Sequence, residues 1–251
     1  MKIVVCAKQV AFLGDEFELT SDGRAVDRGY LDRALNEWDA YTTEAALRLV
    51  EEHGGEVVIV TCGDDEADAA VLRCLAMGAV RGVRVWSEAL LGADPITVAR
   101  ALAGVIRGES ADLVLCGVQS SDSVNGATGV ALAELLGLPW VAVVTRVEIG
   151  DGHATCRREL EGGLIDVCDV ATPAVITIQT GPDQPRYATL RAIKHAEQRG
   201  VEVVAPNDLG EPACRVRRLF VGAKGDGAEM MGSDPAEIAA RIHEIVRARV
   251  V

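Results

Sequence analysis

Residues 117–129 form the segment of this sequence that is best suited to binding a charged small molecule. Their sequence, GVQSSDSVNGATG, is rich in glycine and small polar side chains and lies between an apolar run and a helix-like stretch. Asn125, Gly126, Ala127 and Thr128 would place unpaired N–H groups at a helix start, where the helix dipole favours an anion. A phosphate is the natural ligand. The spacing matches neither the Walker nor the Rossmann fingerprint, so an ordinary capped loop fits this segment equally well.

Residue types that usually carry catalysis or bind metals form no recognisable site. The chain has four histidines, at His53, His153, His195 and His243. None accompanies a nucleophile motif such as Gly-x-Ser-x-Gly. The acidic run at residues 64–66 falls at a predicted helix start, where carboxylates complement the dipole. The seven cysteines lack Cys-x-x-Cys spacing, so we predict reduced, mostly buried thiols, no metal and no catalytic residue.

A second unusual segment, residues 182–191 (PDQPRYATLR), has the character of a docking loop. Its two prolines favour an extended, exposed backbone, and Leu190 follows without an amphipathic rationale. An exposed apolar anchor flanked by the positive charges of Arg186 and Arg191 suits contact with a protein partner. A simple lead-in to a helix explains the segment equally well.

Short apolar runs alternate with amphipathic stretches along the first part of the chain. The predicted strands are residues 3–7, 57–62, 82–86 and 113–117, and the predicted helices are residues 40–53, 66–77, 95–107 and 129–136. This alternation predicts right-handed crossovers and an α/β fold with a doubly wound, mainly parallel sheet. Ligands bind beyond the carboxyl ends of such strands. The loops after Cys6, Cys62 and Cys116 should therefore converge on one crevice.

The later part of the chain has a weaker pattern. Residues 141–144, a charged hairpin around residues 150–152 and residues 173–177 are predicted as further strands of the same sheet. We predict a nucleotide-binding α/β domain at residues 1–200 and a C-terminal extension at residues 201–251. The extension contains a glycine-rich segment and then a helix that starts near Pro235. That helix is as well suited to docking on its own domain as on a partner.

Composition excludes several classes of function. The net charge of −13 disfavours binding to nucleic acid, because a polyanion would be repelled. No apolar run reaches the roughly 18 to 20 residues that a membrane span requires, so we expect no membrane insertion. The N-terminus leads straight into a strand without a signal-peptide pattern, which favours a cytoplasmic location.

Several ordered motifs together resemble the β subunit of electron transfer flavoproteins, over roughly residues 2–204. Residues 5–10 (VCAKQV) look like the opening strand of that family, and residues 74–79 (CLAMGA) are similar to its Ala-Leu-Ala-Met-Gly-Ala segment. Residues 117–128 match its nucleotide loop. Residues 158–163 (RELEGG) through 173–175 resemble its signature region, and residues 185–190 (PRYATL) resemble the loop with which the flavoprotein recognises dehydrogenases.

The resemblance implies an electron carrier without catalytic residues of its own. It implies a heterodimer with a larger α subunit that makes most contacts to FAD, with a structural AMP in the β subunit. The donor would be an acyl-CoA dehydrogenase or similar enzyme, and the acceptor a quinone-linked oxidoreductase. Carried over by position, the partner-docking residues are Arg186, Tyr187 and Leu190. The nucleotide-binding residues are Cys6, Asn36, Glu37, Trp38, Asp39, Cys62, Gly117, Val118, Gln119, Ser120, Ser121, Asp122, Ser123, Val124, Asn125, Gly126, Ala127 and Thr128.

Two alternatives remain open at this point. A bifurcating β subunit would hold a second FAD where the common branch holds AMP. A stand-alone adenine-nucleotide-binding module of the adenine nucleotide α-hydrolase type, which shares the fold, would need no α partner. The chain has Asn36-Glu37-Trp38 where the family usually has Asn-Pro-Phe, and Ile165 where it usually has glutamate.

Overall fold

The computed structural model describes residues 1–222 and 227–249. Part of the glycine-rich segment predicted in the C-terminal extension lies outside these residues. The strands are β1 (Lys2–Cys6), β2 (Gln9–Leu13), β3 (Leu31–Leu35), β4 (Glu56–Cys62), β5 (Arg81–Val85), β6 (Leu113–Gly117), β7 (Trp140–Val144), β8 (Arg146–Gly150), β9 (His153–Leu160), β10 (Leu164–Ala171), β11 (Ala174–Ile178) and β12 (Glu202–Val204). The helices are α1 (Glu37–His53), α2 (Asp68–Met77), α3 (Pro95–Glu109), α4 (Thr128–Leu136), α5 (Leu190–Arg199) and α6 (Pro235–Arg249).

Seven strands form the central sheet in the order β12-β5-β4-β1-β6-β11-β7, and every neighbouring pair is parallel. The inner strands are mostly apolar and are buried along nearly their whole length, as expected of strands that are covered on both faces. The predicted doubly wound α/β fold is therefore confirmed. The chain winds outward from β1 in both directions, so a topological switch point lies at β1.

Helices pack on both faces of this sheet. One face is covered by α1 and α2, which form one apolar cluster with inward residues of β1, β4 and β6. The other face is covered by α3 and α4, which pack on each other and on the alternate residues of the same strands. Because side chains alternate between the faces of a strand, each central strand contributes to both clusters.

The hairpin predicted around residues 150–152 is present, but its placement in the central sheet was wrong. Strands β8, β9 and β10 form a separate antiparallel sheet in the order β10-β9-β8. Their residues alternate between more and less exposed positions, which is the pattern of a sheet with one face open to solvent. A second antiparallel pair, β2 and β3, flanks the turn-rich excursion at residues 14–30.

The chain divides into two compact units, Met1–Arg218 and Leu219–Val251. Strand β12 of the central sheet lies after residue 200, where the sequence predicts the boundary between the nucleotide-binding domain and the C-terminal extension. The division into residues 1–200 and 201–251 stays a prediction. In the second unit, α6 begins at Pro235 as expected, and Arg241 forms ion pairs with Glu229 and Glu244. Among the described residues, no helix is long and apolar enough to cross a membrane.

Candidate functional site

A cavity of about 250 Å³ opens beyond the carboxyl ends of β4, β1 and β6. Cys6, Cys62 and Cys116, the residues at which these strands end or nearly end, all line it, together with the start of α4 and one side of α3. A hydrogen bond with Cys116, together with burial, raises the pKa of the Cys6 thiol well above its usual value. Burial raises the pKa of Cys62 to about 12. The Cys6 and Cys62 thiols therefore stay protonated, so these two side chains line the cavity and are not nucleophiles.

The first turn of α4 faces the cavity with free donors. Within the described part of the chain, no acceptor pairs with the backbone amides of Gly126, Ala127, Thr128 and Gly129. A Cβ at Gly129 would lie 2.5 Å from Thr177 Cγ2, so only glycine lets the helix start this close to the sheet. The start of a helix with open amides and a positive dipole end is an anion site.

Asn36, just before α1, brings an unsatisfied acceptor to the same cavity. Its side chain is almost fully buried, and its Nδ2 donates to the Gln119 carbonyl oxygen at 2.9 Å. Its Oδ1 is buried and has no hydrogen-bond partner among the residues that the structure describes. An unpaired buried acceptor costs roughly 1–3 kcal/mol. A ligand with a hydroxyl or amino donor would relieve that cost.

Asp39, on α1, links the end of β6 to the residues that follow β1, below the cavity. Its Oδ2 accepts from the Lys8 amide at 2.7 Å, and its Oδ1 accepts from the Gly117 amide at 3.0 Å. Burial raises the pKa of Asp39 to about 7, although these two amides and Asn36 favour the charged form. A Cβ at Gly117 would lie 2.2 Å from Asp39 Oδ1, so glycine is required there.

The Lys8 side chain lines the cavity and contacts the loop that precedes α4. Lys8 Nζ lies 2.6 Å from Asp122 Oδ1, 3.2 Å from Ser120 Oγ and 3.3 Å from Ser123 Oγ. Partial burial raises the pKa of Asp122, but hydrogen bonds from Lys8 and Ser120 outweigh it, and the pKa lies below its ordinary value. The end of β1 is thereby tied to the loop that precedes α4.

The structure brings most of the predicted nucleotide-binding residues to this cavity. Those that line it are Cys6, Asn36, Asp39, Cys62, Gly117, Val118, Gln119, Ser120, Ser123, Asn125, Gly126, Ala127 and Thr128. Those that do not are Glu37, Trp38, Ser121, Asp122 and Val124. The lining residues that are absent from the predicted nucleotide-binding set are Ala7, Lys8, Val60, Ala93, Pro95, Val98, Leu102, Cys116 and Gly129. Of these, Pro95, Val98 and Leu102 belong to α3. The apolar stripe of that helix is the sequence signal for them, and it does not distinguish residues of the core from residues that line a cavity.

The predicted docking residues point in different directions. Arg186 faces α1, where its Nε lies 2.8 Å from Glu44 Oε2 and its Nη1 lies 2.6 Å from Glu51 Oε1. Tyr187 and Leu190 are 79% and 75% exposed. Burial alone would raise the pKa of Glu44, but hydrogen bonds from Arg186 and from Arg48 hold it below the ordinary value. Arg186 therefore fastens the segment, while Tyr187 and Leu190 project from it.

The far end of α5 is fastened as well. Arg199 Nη2 donates to the carbonyl oxygens of Leu75 at 3.1 Å and Ala79 at 3.3 Å, and its Nη1 donates to that of Val80 at 3.3 Å. These carbonyls belong to the last turn of α2 and to the residues that follow it, where a cation complements the helix dipole. The helix that begins at Leu190 is held at its last residue by Arg199.

Comparison with known proteins identifies the class. A protein-family model described as "Electron transfer flavoprotein domain" matches residues 24–209. The chain is 42% identical to the electron transfer flavoprotein subunit beta of Methylophilus methylotrophus, with 98% of each chain covered. It is 38% identical to the subunit of the same name from Syntrophomonas wolfei, over 82% of this chain and 80% of the relative. It is 29% identical to that of Bacillus subtilis, with 98% of each chain covered.

The chain belongs to the electron transfer flavoprotein family, as its β-subunit branch. The predicted resemblance is thus confirmed. Proteins of this class are components of electron carriers.

Proposed function

We propose that this chain pairs with a larger α subunit to form an electron-carrying heterodimer, and that its cavity binds one structural AMP. The supporting observation is that one cavity is lined by both the open amides at the start of α4 and Asn36, and neither these amides nor Asn36 Oδ1 has a hydrogen-bond partner in the described residues. An adenine nucleotide offers a phosphate for the amides and hydroxyl and amino donors for the acceptor. The stand-alone module is set aside because the chain matches β subunits along nearly its whole length.

The residues divide the task by chemistry. The amides at residues 126–129 would receive the phosphate, because the helix dipole and unpaired donors act there together. Asn36 Oδ1 would accept from the nucleoside. Val98, Leu102 and the protonated thiols of Cys6 and Cys62 would give an apolar wall for the base. Gly117 and Gly129 would keep the backbone close enough for these contacts, since a side chain at either position collides with Asp39 or Thr177.

The chemistry of electron transfer belongs to FAD, which we propose is held mainly by the α subunit. FAD would take electrons from a dehydrogenase such as an acyl-CoA dehydrogenase and pass them to a quinone-linked oxidoreductase. This subunit needs no proton-transfer residue for that role. Tyr187 and Leu190 would contact the donor, because both are exposed on a segment that Arg186 fixes to Glu44 and Glu51. The location proposed for the complex is the cytoplasm.

Nucleotide analysis of the purified complex tests the proposal. Acid release and chromatography should give one AMP and one FAD per heterodimer. Two FAD molecules without AMP would support the bifurcating alternative. A complex that carries only the α-bound FAD, with nothing released from this chain, would refute nucleotide binding here.

A pair of variants links the nucleotide to the cavity. Asn36→Ala removes the unpaired acceptor and should lower AMP affinity about tenfold, the effect of one buried hydrogen bond. Asn207→Ala, at an exposed position, serves as the matched control and should retain AMP like wild type. Equal AMP retention by the two variants would contradict the assigned role of Asn36.

A further inference from the structure

A second pocket lies beside the segment that precedes α5. We call it the arginine pocket, because Arg33, Arg73 and Arg186 line it. Its walls come from the β2–β3 hairpin, one side of α2 and residues 185–187. Its volume of about 510 Å³ falls in the range of roughly 300–1,000 Å³ that is usual for ligand pockets. It shares no lining residue with the cavity at the carboxyl ends of the strands.

Every charged side chain that lines the arginine pocket is positive, although the chain as a whole carries a net charge of −13. Two of the three charges are already compensated. Arg33 Nη1 lies 2.9 Å from Glu66 Oε2, and Arg186 is paired with two carboxylates of α1. Arg73 has no carboxylate partner in residues 1–222 and 227–249, and its guanidinium carbon lies 5.7 Å from the centroid of the Tyr187 ring.

The rest of the lining is mostly apolar, with several alanines and with Leu35, Met77 and Pro185. Such a lining suits the aliphatic part of a side chain. A basic end group would be repelled by the arginines, and an apolar one would bury the Arg73 charge without a partner. A carboxylate compensates that charge, because a planar guanidinium binds it through parallel N–H donors. The lining therefore fits an acidic side chain.

Tyr187 joins the arginine pocket to the surface proposed for donor docking. Its side chain lines the pocket and is 79% exposed, and Leu190, three residues further along, is 75% exposed. A protein that covers Tyr187 from the solvent therefore lies beside the pocket. Tyrosine and arginine are also the residue types that most often dominate the binding energy of protein interfaces.

We propose that the arginine pocket receives an acidic side chain of the donor dehydrogenase, with Arg73 as its ion-pair partner. The proposal rests on the proposed docking role of Tyr187 and Leu190 and goes further, because it assigns a second contact and the chemistry of the group that fills it. Leu190 supplies an apolar contact that salt does not weaken. Arg73 supplies an ionic contact that salt screens, and this contact fixes the orientation of the partner.

Arg73→Gln tests the proposal, because it removes the charge and keeps much of the aliphatic stem. The purified heterodimer is reduced by an acyl-CoA dehydrogenase with its acyl-CoA substrate, and KM for the heterodimer and kcat are measured at about 50 and about 300 mM NaCl. We expect KM at the lower salt to rise about tenfold with kcat unchanged, and KM to depend less on salt than in wild type. Arg73→Lys keeps the charge and should retain most of the wild-type KM and salt dependence.

Arg107→Gln is the matched control. It makes the same change of net charge at an exposed position of α3, on the opposite face of the central sheet from α2, and should leave KM and its salt dependence unchanged. A raised KM in Arg73→Gln with wild-type salt dependence would overturn the proposal, because Arg73 would then only support Tyr187. Dissociation of the Arg73→Gln heterodimer or loss of its flavin would assign the pocket to the α subunit and would also overturn it.

The same assay separates this proposal from the docking role on which it rests. Wild-type kinetics in Arg73→Gln, together with slow reduction of Leu190→Ala, overturn the ion pair and leave the docking role intact. Wild-type kinetics in both variants overturn both proposals. A wild-type heterodimer that the dehydrogenase does not reduce overturns both as well.

Discussion

Gly117→Ala tests whether the floor of the cavity is as tightly built as the structure implies. The added Cβ would lie 2.2 Å from Asp39 Oδ1, 2.9 Å from Trp38 Cβ and 3.2 Å from the Asp39 backbone nitrogen. A carboxylate oxygen needs more than 3 Å from a carbon atom, so Asp39 must retreat by about 1 Å. Both amide hydrogen bonds to Asp39, from Lys8 at 2.7 Å and from Gly117 at 3.0 Å, then lengthen.

The expected loss of stability combines two effects. Weakening a hydrogen bond to a charged group costs about 1.5–3 kcal/mol, and overpacking costs about 1–3 kcal/mol. Together they give about 2.5–6 kcal/mol. For a chain of this size, 1 kcal/mol shifts the melting temperature by about 2–4 °C. The Gly117→Ala variant should therefore melt about 5–24 °C below wild type and bind AMP more weakly.

Gly108→Ala is the matched control for this experiment. Gly108 is exposed in the last turn of α3, and a Cβ there meets nothing within 4 Å. The same substitution should stabilise the protein by about 0.5–1 kcal/mol, because alanine loses less backbone freedom on folding. The assay is differential scanning fluorimetry of the purified protein, with nucleotide release from each variant. A Gly117→Ala protein that melts within 2 °C of wild type would refute the argument that Asp39 is confined.

Three further predictions concern charge and docking. Asp39→Asn should remove a pH dependence of stability. Because the pKa of Asp39 is raised to about 7 in the folded protein, Asp39 contributes stability at low pH that is lost as pH rises from about 4 to about 7. The free energy of unfolding of wild type, relative to that of the variant, should therefore fall by about 2 kcal/mol between pH 5.5 and 8. A difference in unfolding free energy that stays constant over this pH range would contradict the raised pKa of Asp39. Glu44→Gln should lower the free energy of unfolding by about 2 kcal/mol at pH 7. The loss should become smaller in acid, because a carboxyl whose pKa is lowered in the folded protein loses its stabilising contribution as pH falls. An unchanged midpoint of urea unfolding at pH 7 would count against this. Leu190→Ala should slow flavin reduction by the donor about tenfold and leave the flavin content unchanged. Leu91→Ala, which alters another highly exposed leucine, should not slow it. Equal rates of flavin reduction for the two variants in stopped-flow experiments would refute the docking role of Leu190.

The sequence predicts the central sheet well because its signals are local. Apolar runs such as residues 57–62 and 113–117 and the amphipathic spacing of α1 and α3 depend only on neighbouring residues. Helix starts are less well predicted: α1 begins at Glu37, three residues before the expected start. The β8–β10 sheet was misplaced because hydrophobic pattern identifies strands without identifying their partners.

The candidate site follows from the sequence only where one loop carries it. The segment at residues 117–128 has the composition of an anion loop, and the structure places its end at the first turn of α4. The Lys8–Asp122 pair and the Arg186–Glu44 pair join residues 114 and 142 positions apart, so no local pattern encodes them. The sequence suggested that Arg186 offers its positive charge to a protein partner. In the structure its guanidinium is paired with the carboxylates of Glu44 and Glu51 on α1.

The fastening of α5 by Arg199 and of its lead-in by Arg186 has a consequence for how partner choice can change. The anchor at Leu190 is held from α1 on one side and from the end of α2 on the other. Little conformational freedom remains to be lost on docking, so the entropic cost of binding there is low. Under the docking role proposed for Tyr187 and Leu190, substitution of a buried residue such as Glu44, which holds Arg186, would alter donor preference without changing a contact residue. A comparison restricted to contact residues would overlook such changes.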